Sequence, residues 1–169
     1  STSPWEGVLS SYFLVAAMSH NMPISSSSVG IPKDLFSEIG CFSVGLNMYE
    51  DSELWGKIAL RYPIVFSWQG GSIYHLGGAN RLCNRIIDYE HPFIKIAEYK
   101  IREKQISSEI LDDLKEYIAK LKITFAIQNI LLGKNKLAKD ILVDCDTKLF
   151  ICKKYLLLAI CLLPRTVFL

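Results

Sequence analysis

The chain has 169 residues, half of them hydrophobic, and carries 19 Lys and Arg against 17 Asp and Glu. That supplies enough apolar side chain for a sizeable core and excludes a disordered, charge-dominated chain. The formal net charge of +2 divides unevenly: residues 1–94 hold 5 Lys/Arg against 8 Asp/Glu, and residues 95–169 hold 14 against 9. The basic half intersperses acids among its lysines and falls short of a cationic stripe, so no nucleic-acid partner is expected.

In chain order, residues 1–10 have no basic leader and Trp5-Glu6 breaks their apolar run, which does not read as a signal peptide. The absence of an initiator Met fits a piece of something longer. Val8, Leu9, Tyr12, Phe13, Ala16 and Ala17 recur at helical spacing, which predicts a helix over 6–18 that Met22-Pro23 ends. The serine run and Val29 predict an extended segment over 24–31, where small side chains let another backbone or a ligand approach. Pro32 suits the first turn of a helix through Ile39, with Gly40 as its left-handed stop. A further helix follows, capped from Asn47 or just after, with Glu50, Asp51 and Glu53 in the first turn and Leu54, Ile58 and Ala59 turned inward. Segments 64–68 and 72–76 are short strand candidates around the turn Gln69-Gly70-Gly71.

After Asn84 the alternation disappears. Leu114, Ile118, Leu121 and Phe125 fall on one helical stripe that Gly133 stops, and helices are expected over 134–143 and 148–163, with Pro164 as terminator. The longest uninterrupted apolar run, 155–163, is far short of the roughly 20 residues that cross a bilayer. Preceded by Lys153-Lys154 and followed by Arg165, it suits either packing within the tail or contact with a membrane surface. Five cysteines, an odd number without a CxxC pair, fit a reducing compartment. The fold expected is α/β with few short strands over 1–87, then an all-α extension over 88–169, helix-rich overall.

The residues able to carry chemistry lie in the first region. A carboxylate at a helix N-terminus is favoured in its ionised form and can accept a proton from a sugar hydroxyl; the plainer role of Glu50 and Asp51 is to cap a surface helix. Tyr49 and Trp55 bracket the pair, and their rings can stack on a sugar, although Trp55 also suits a core anchor. His75, at the end of a strand candidate, can meet a divalent cation or a phosphate or be structural. Asn80 and Arg81, after Gly77-Gly78, form a loop that can close over a diphosphate or remain a solvated surface.

The succession SSSSVGIPKDLFSEIGCF, GLNMYEDSELWGKIALRYPIVF and SIYHLGGANRLCNR resembles the second half of a family 2 glycosyltransferase with the GT-A fold. The matching stretches are 33–42, 50–57 and the pair Tyr74-His75, within about 80 residues in all. The resemblance implies an inverting transfer of a hexose-type sugar from a nucleotide-sugar donor to a glycan or lipid-linked acceptor. Asp51 would be the general base and Glu50 its support, with His75 near the diphosphate or metal and Arg81 against the leaving group. It also implies a divalent metal, Mg or Mn, bound mainly by a nucleotide-binding half that this chain does not contain. Asp144-Cys145-Asp146 spells that half's metal motif but falls between tail helices. On this reading the chain is the C-terminal portion of a cytoplasmic enzyme, peripheral on the inner face of the cell membrane and inactive alone. The competing expectation is a non-catalytic helical module that binds a partner or a membrane surface.

Overall fold

A computed structural model describes residues 6–67, 71–73, 75 and 86–163. Among the described residues, 54% are helical, in seven helices, with one two-stranded antiparallel sheet. It divides into two compact units, Ser1–Arg85 and Ile86–Leu169.

The first unit opens with strand β1 (Glu6–Val8), where a helix was expected. The apolar spacing over 6–18 fits a helix only from Ser11 onward. Ser11 is extended and its hydroxyl accepts from the Leu14 amide, which starts α1 (Tyr12–Met18) afresh. Residues 6–8 instead pair with β2 (Val65–Ser67) in the register Glu6↔Ser67, Gly7↔Phe66, Val8↔Val65. The Ser67 hydroxyl donates to Glu6 Oε1 at 2.7 Å and ties the open end of the pair.

The serine segment is a turn rather than an extended stretch, with the Ser28 amide donating to the Ser25 carbonyl at 3.0 Å. Helix α2 (Leu35–Ile39) ends at Gly40, whose φ of +89° supplies the positive-φ stop. Helix α3 (Glu50–Ala59) starts from Tyr49, just after Asn47. Tyr49 has φ +76° and makes no side-chain cap bond, a left-handed position that is costly for an aromatic residue. Leu54 and Ile58 are buried as expected from their spacing, Trp55 is buried as a core anchor, and Ala59, also expected inward, is only half-buried. No strand forms at Ser72, Ile73 or His75; the rest of that candidate strand lies outside the described residues.

The second unit is helical throughout: α4 (Pro92–Arg102), α5 (Ser108–Leu131), α6 (Asn135–Val143) and α7 (Ile151–Leu162). Ser107 caps α5, and Gly133, at φ +71°, follows its end. Helix α5 is the axis of the unit and packs against each of the other three. Its Leu114, Tyr117, Ile118, Ala119, Ile123 and Ala126 are buried; Leu121 and Phe125, expected on the same stripe, are half-buried. Ala119, Ile123 and Ala126 join Ala138, Leu142, Cys145 and Leu157 in one core. Of the run 155–163, only Leu157 is buried, whereas Tyr155, Leu156 and Leu162 are exposed. No helix among the described residues is long and apolar enough to cross a membrane.

Candidate functional site

The three acids that open α3 have distinct fates. Glu53 is buried, with Oε1 accepting from the Ser43 hydroxyl at 2.8 Å and pairing with Lys57 Nζ at 3.0 Å, one helical turn on. It holds the loop before α3 against the helix and is committed to structure. Asp51 is half-buried and takes part in no ion pair among the described residues. Its Oδ1 accepts from the Ser52 amide at 2.6 Å and its Oδ2 from the Ser26 hydroxyl at 3.1 Å. Glu50 is also half-buried, and its Oε2 is enclosed without a hydrogen-bond partner among the described residues.

The Ser26 contact matters because it spans 25 residues and fixes the serine turn to the start of α3. On that turn, Ser27 and Ser28 form part of the wall of a hollow of about 1020 Å³, whose described lining also includes Val29, Ile31, Trp55, Ile58, Tyr62 and Phe66. Its walls are chiefly apolar. Glu50 and Asp51 are not among the wall residues; Asp51 reaches the wall through the serine that precedes Ser27. Gly71 comes so close to the same turn that a Cβ on it would lie 3.2 Å from Ser28 Cβ, the backbone approach that the small serines were expected to allow.

Trp55 is 2% exposed and meets Phe42 edge-to-face, with ring centroids 6.1 Å apart. It therefore anchors α3 and lines the hollow at once, while its indole Nε1 is enclosed without a hydrogen-bond partner among the described residues. Tyr49 acts through its backbone: its carbonyl accepts from the Glu53 amide at 2.8 Å and the Ser52 hydroxyl at 3.1 Å. Across the hollow's Tyr62 side, Glu38 accepts from the Tyr62 hydroxyl and from Arg61. The Tyr62 hydrogen bond, assisted by Arg61, holds the Glu38 carboxyl below its ordinary pKa, and Glu38 pushes the Tyr62 phenol up.

No family model, no curated protein and no solved structure matches this chain. The site therefore rests on its own geometry. His75 is exposed, and no group of three or more His, Cys, Asp or Glu gathers among the described residues. Asn80 and Arg81 lie outside the described residues.

Sequence reasoning passed over three polar residues that organise the second unit. His91 is 5% exposed and its Nδ1 accepts from the Phe93 amide at 3.2 Å, capping α4 ahead of Pro92. Burial lowers its pKa to about 4, so it is neutral at pH 7. Glu116 accepts from the Thr147 hydroxyl at 2.6 Å and from the amides of Lys148 and Leu149 at 2.6 and 3.2 Å. Lys122 Nζ lies 2.7 Å from both Glu98 and Asp144. Burial opposes its charge, but the two carboxylates outweigh that and raise its pKa. Asp144, the first acid of the metal-motif look-alike, is thus occupied by a lysine. The Pro after His91 was a readable helix-start signal; Glu116 and Lys122 carry no local signal, because their partners come from distant turns.

Proposed function

We propose that this chain contributes the acceptor side of an inverting GT-A glycosyltransferase, of the hexosyltransferase type, acting on a glycan or lipid-linked acceptor hydroxyl. The observation that carries the reading is the state of Asp51. It is a half-buried carboxylate free of any ion pair among the described residues and held by the hydroxyl of Ser26, whose neighbours Ser27 and Ser28 line, with Trp55, a hollow that Asp51 itself does not line. A carboxylate without an ion-pair partner keeps lone pairs open to a proton, which is what a general base requires. In the proposed step Asp51 takes the acceptor hydroxyl proton while that oxygen bonds to the anomeric carbon. The bond from that carbon to the nucleoside diphosphate breaks with inversion. Ser26 is the positioning residue, fixing the carboxylate through Oδ2.

The nucleotide-sugar donor and the divalent metal, Mg or Mn, would be held mainly by residues other than those described. When bound, the metal would neutralise charge on the diphosphate. No step assigned to this chain passes through it, and His75 alone does not make a site. Glu50 would support Asp51 electrostatically.

The test is Asp51→Asn in the enzyme that contains this chain together with its donor-binding half. Loss of a general base lowers the transfer rate by about 10²-fold or more. Melting behaviour should stay close to wild type, since an amide oxygen still accepts from Ser26. A folded Asn variant that turns over at near the normal rate removes Asp51 as the base.

A further inference from the structure

The outward side of α7 is apolar along its whole length. Cys152, Tyr155, Leu156, Ala159, Leu162 and Leu163 fall at helical spacing on one stripe, and all are exposed, with Tyr155 at 62%, Leu156 at 63% and Leu162 at 70%. The opposite side carries the residues that hold the helix down: Leu157 and the half-buried Leu158 and Cys161 pack on the core, and Lys154 Nζ donates to the Cys145 carbonyl at 2.6 Å. So the stripe is not a core face awaiting the rest of its own unit. It is a second apolar face on a helix already docked by its first.

Charge selects what covers it. From Thr147 to Leu163 there is no Asp or Glu, while Lys148, Lys153 and Lys154 are present. Lys153 is exposed beside the stripe, and its charge reaches Lys120 on α5; Lys139, exposed on α6, lies near Cys161 at the other end. Of these cations Lys153 is the exposed one on α7 itself, with no carboxylate on that helix to answer it. Lys148 is partly answered by Asp112 at 3.5 Å, a fully exposed pair of small consequence. A second copy of α7 would bring lysines against lysines with no carboxylate on either helix to answer them. An acidic surface with an apolar interior meets both features. At 12 residues the helix is about 18 Å long, too short to span a bilayer of ~30 Å but suited to lying in its interface, where a Tyr ring is also at home.

We propose that the outer face of α7 is a docking surface for an anionic lipid bilayer, its Tyr155–Leu162 stripe sunk at the headgroup boundary and Lys153 set against acidic headgroups. The surface belongs to the second unit and does not depend on the glycosyltransferase reading. A catalytically inert chain would bind equally well.

The experiment is co-sedimentation of the full chain with phosphatidylcholine vesicles containing or lacking 30% phosphatidylglycerol. Binding is expected to the anionic vesicles and to be at least tenfold weaker to pure phosphatidylcholine. Leu156→Glu/Leu162→Glu changes only exposed positions, so helicity should persist while the partition coefficient falls at least tenfold. Lys153→Glu should also lower it and flatten its loss with salt, because the screened attraction to acidic headgroups is then removed. The proposal is overturned if the wild-type chain ignores anionic vesicles, or if the Leu pair leaves binding unchanged. It is equally overturned if the wild-type chain self-associates in light scattering and only the Leu pair makes it monomeric, which would assign the stripe to a second copy.

Discussion

The two units satisfy their buried polar groups to different degrees, although Asn129 Oδ1 in the second is also enclosed without a hydrogen-bond partner among the described residues. In the second, interior charge is consumed by structure: Glu116 takes three donors, Lys122 takes two carboxylates, and His91 caps a helix as a neutral base. In the first, Glu50 Oε2 and Trp55 Nε1 are enclosed without partners among the described residues, Tyr49 is held left-handed, and the sheet consists of two three-residue strands beside a large hollow. Two such strands are marginal alone, and unpaired enclosed polar atoms cost stability. The contrast separates a region built for its own stability from one in which stability is given up around a concave surface, the usual bias of sites that act on something else.

The sharpest way to break that contrast is Glu116→Ala. It strands the Thr147 hydroxyl and two backbone amides, and should cost about 4 kcal/mol, read as a lowered urea midpoint for the helical unit. A loss below about 1 kcal/mol would mean that water replaces the carboxylate and that the second unit is no better satisfied than the first.

Acid provides the next test. His91 binds its proton near pH 6.5 when unfolded and only near pH 4 when folded. Its contribution is therefore intact above pH 6.5 and lost as the pH falls towards 4, a change of about 3 kcal/mol. Glu90, raised by burial and by Glu98, works in the opposite sense over the acid range. The readout is thus the difference between wild type and His91→Asn, which keeps a capping side chain and should flatten the slope.

The smallest effect is expected in the first unit. Gly71→Ala places a methyl 3.2 Å from Ser28 Cβ and should cost about 1 kcal/mol as the serine turn gives way. Ser28→Gly in the same background should recover part of that loss. If Gly71→Ala is neutral, the close approach does not help to set the turn that holds Asp51.

Legibility followed the range of the cause. Gly40 and Gly133 act on the residues beside them, and both helix ends could be read from the letters alone. So could α5, α6 and the inward positions Leu54 and Ile58, because a stripe at helical spacing is local information. β1 could not. Its spacing suits a helix as well as a strand, and it is pairing with residues some sixty positions on that decides. The acidic trio shows the same limit: spacing placed all three in one turn, but only Ser43 and Ser26, from two other segments, distinguish the committed Glu53 from the available Asp51. Nothing in the letters foretells a left-handed Tyr49, and Asp144-Cys145-Asp146 misleads because its lysine partner lies on another helix.

The clasp of Glu116 on residues 147–149 has a mechanical consequence. The link from α6 to α7 is irregular, yet its amides are tied to the middle of the unit's central helix. Opening that link means uncovering an interior carboxylate, so it inherits the protection of the interior rather than the looseness of a surface connection. The residues that lead into α7 are therefore anchored to the same helix that forms the axis of the unit.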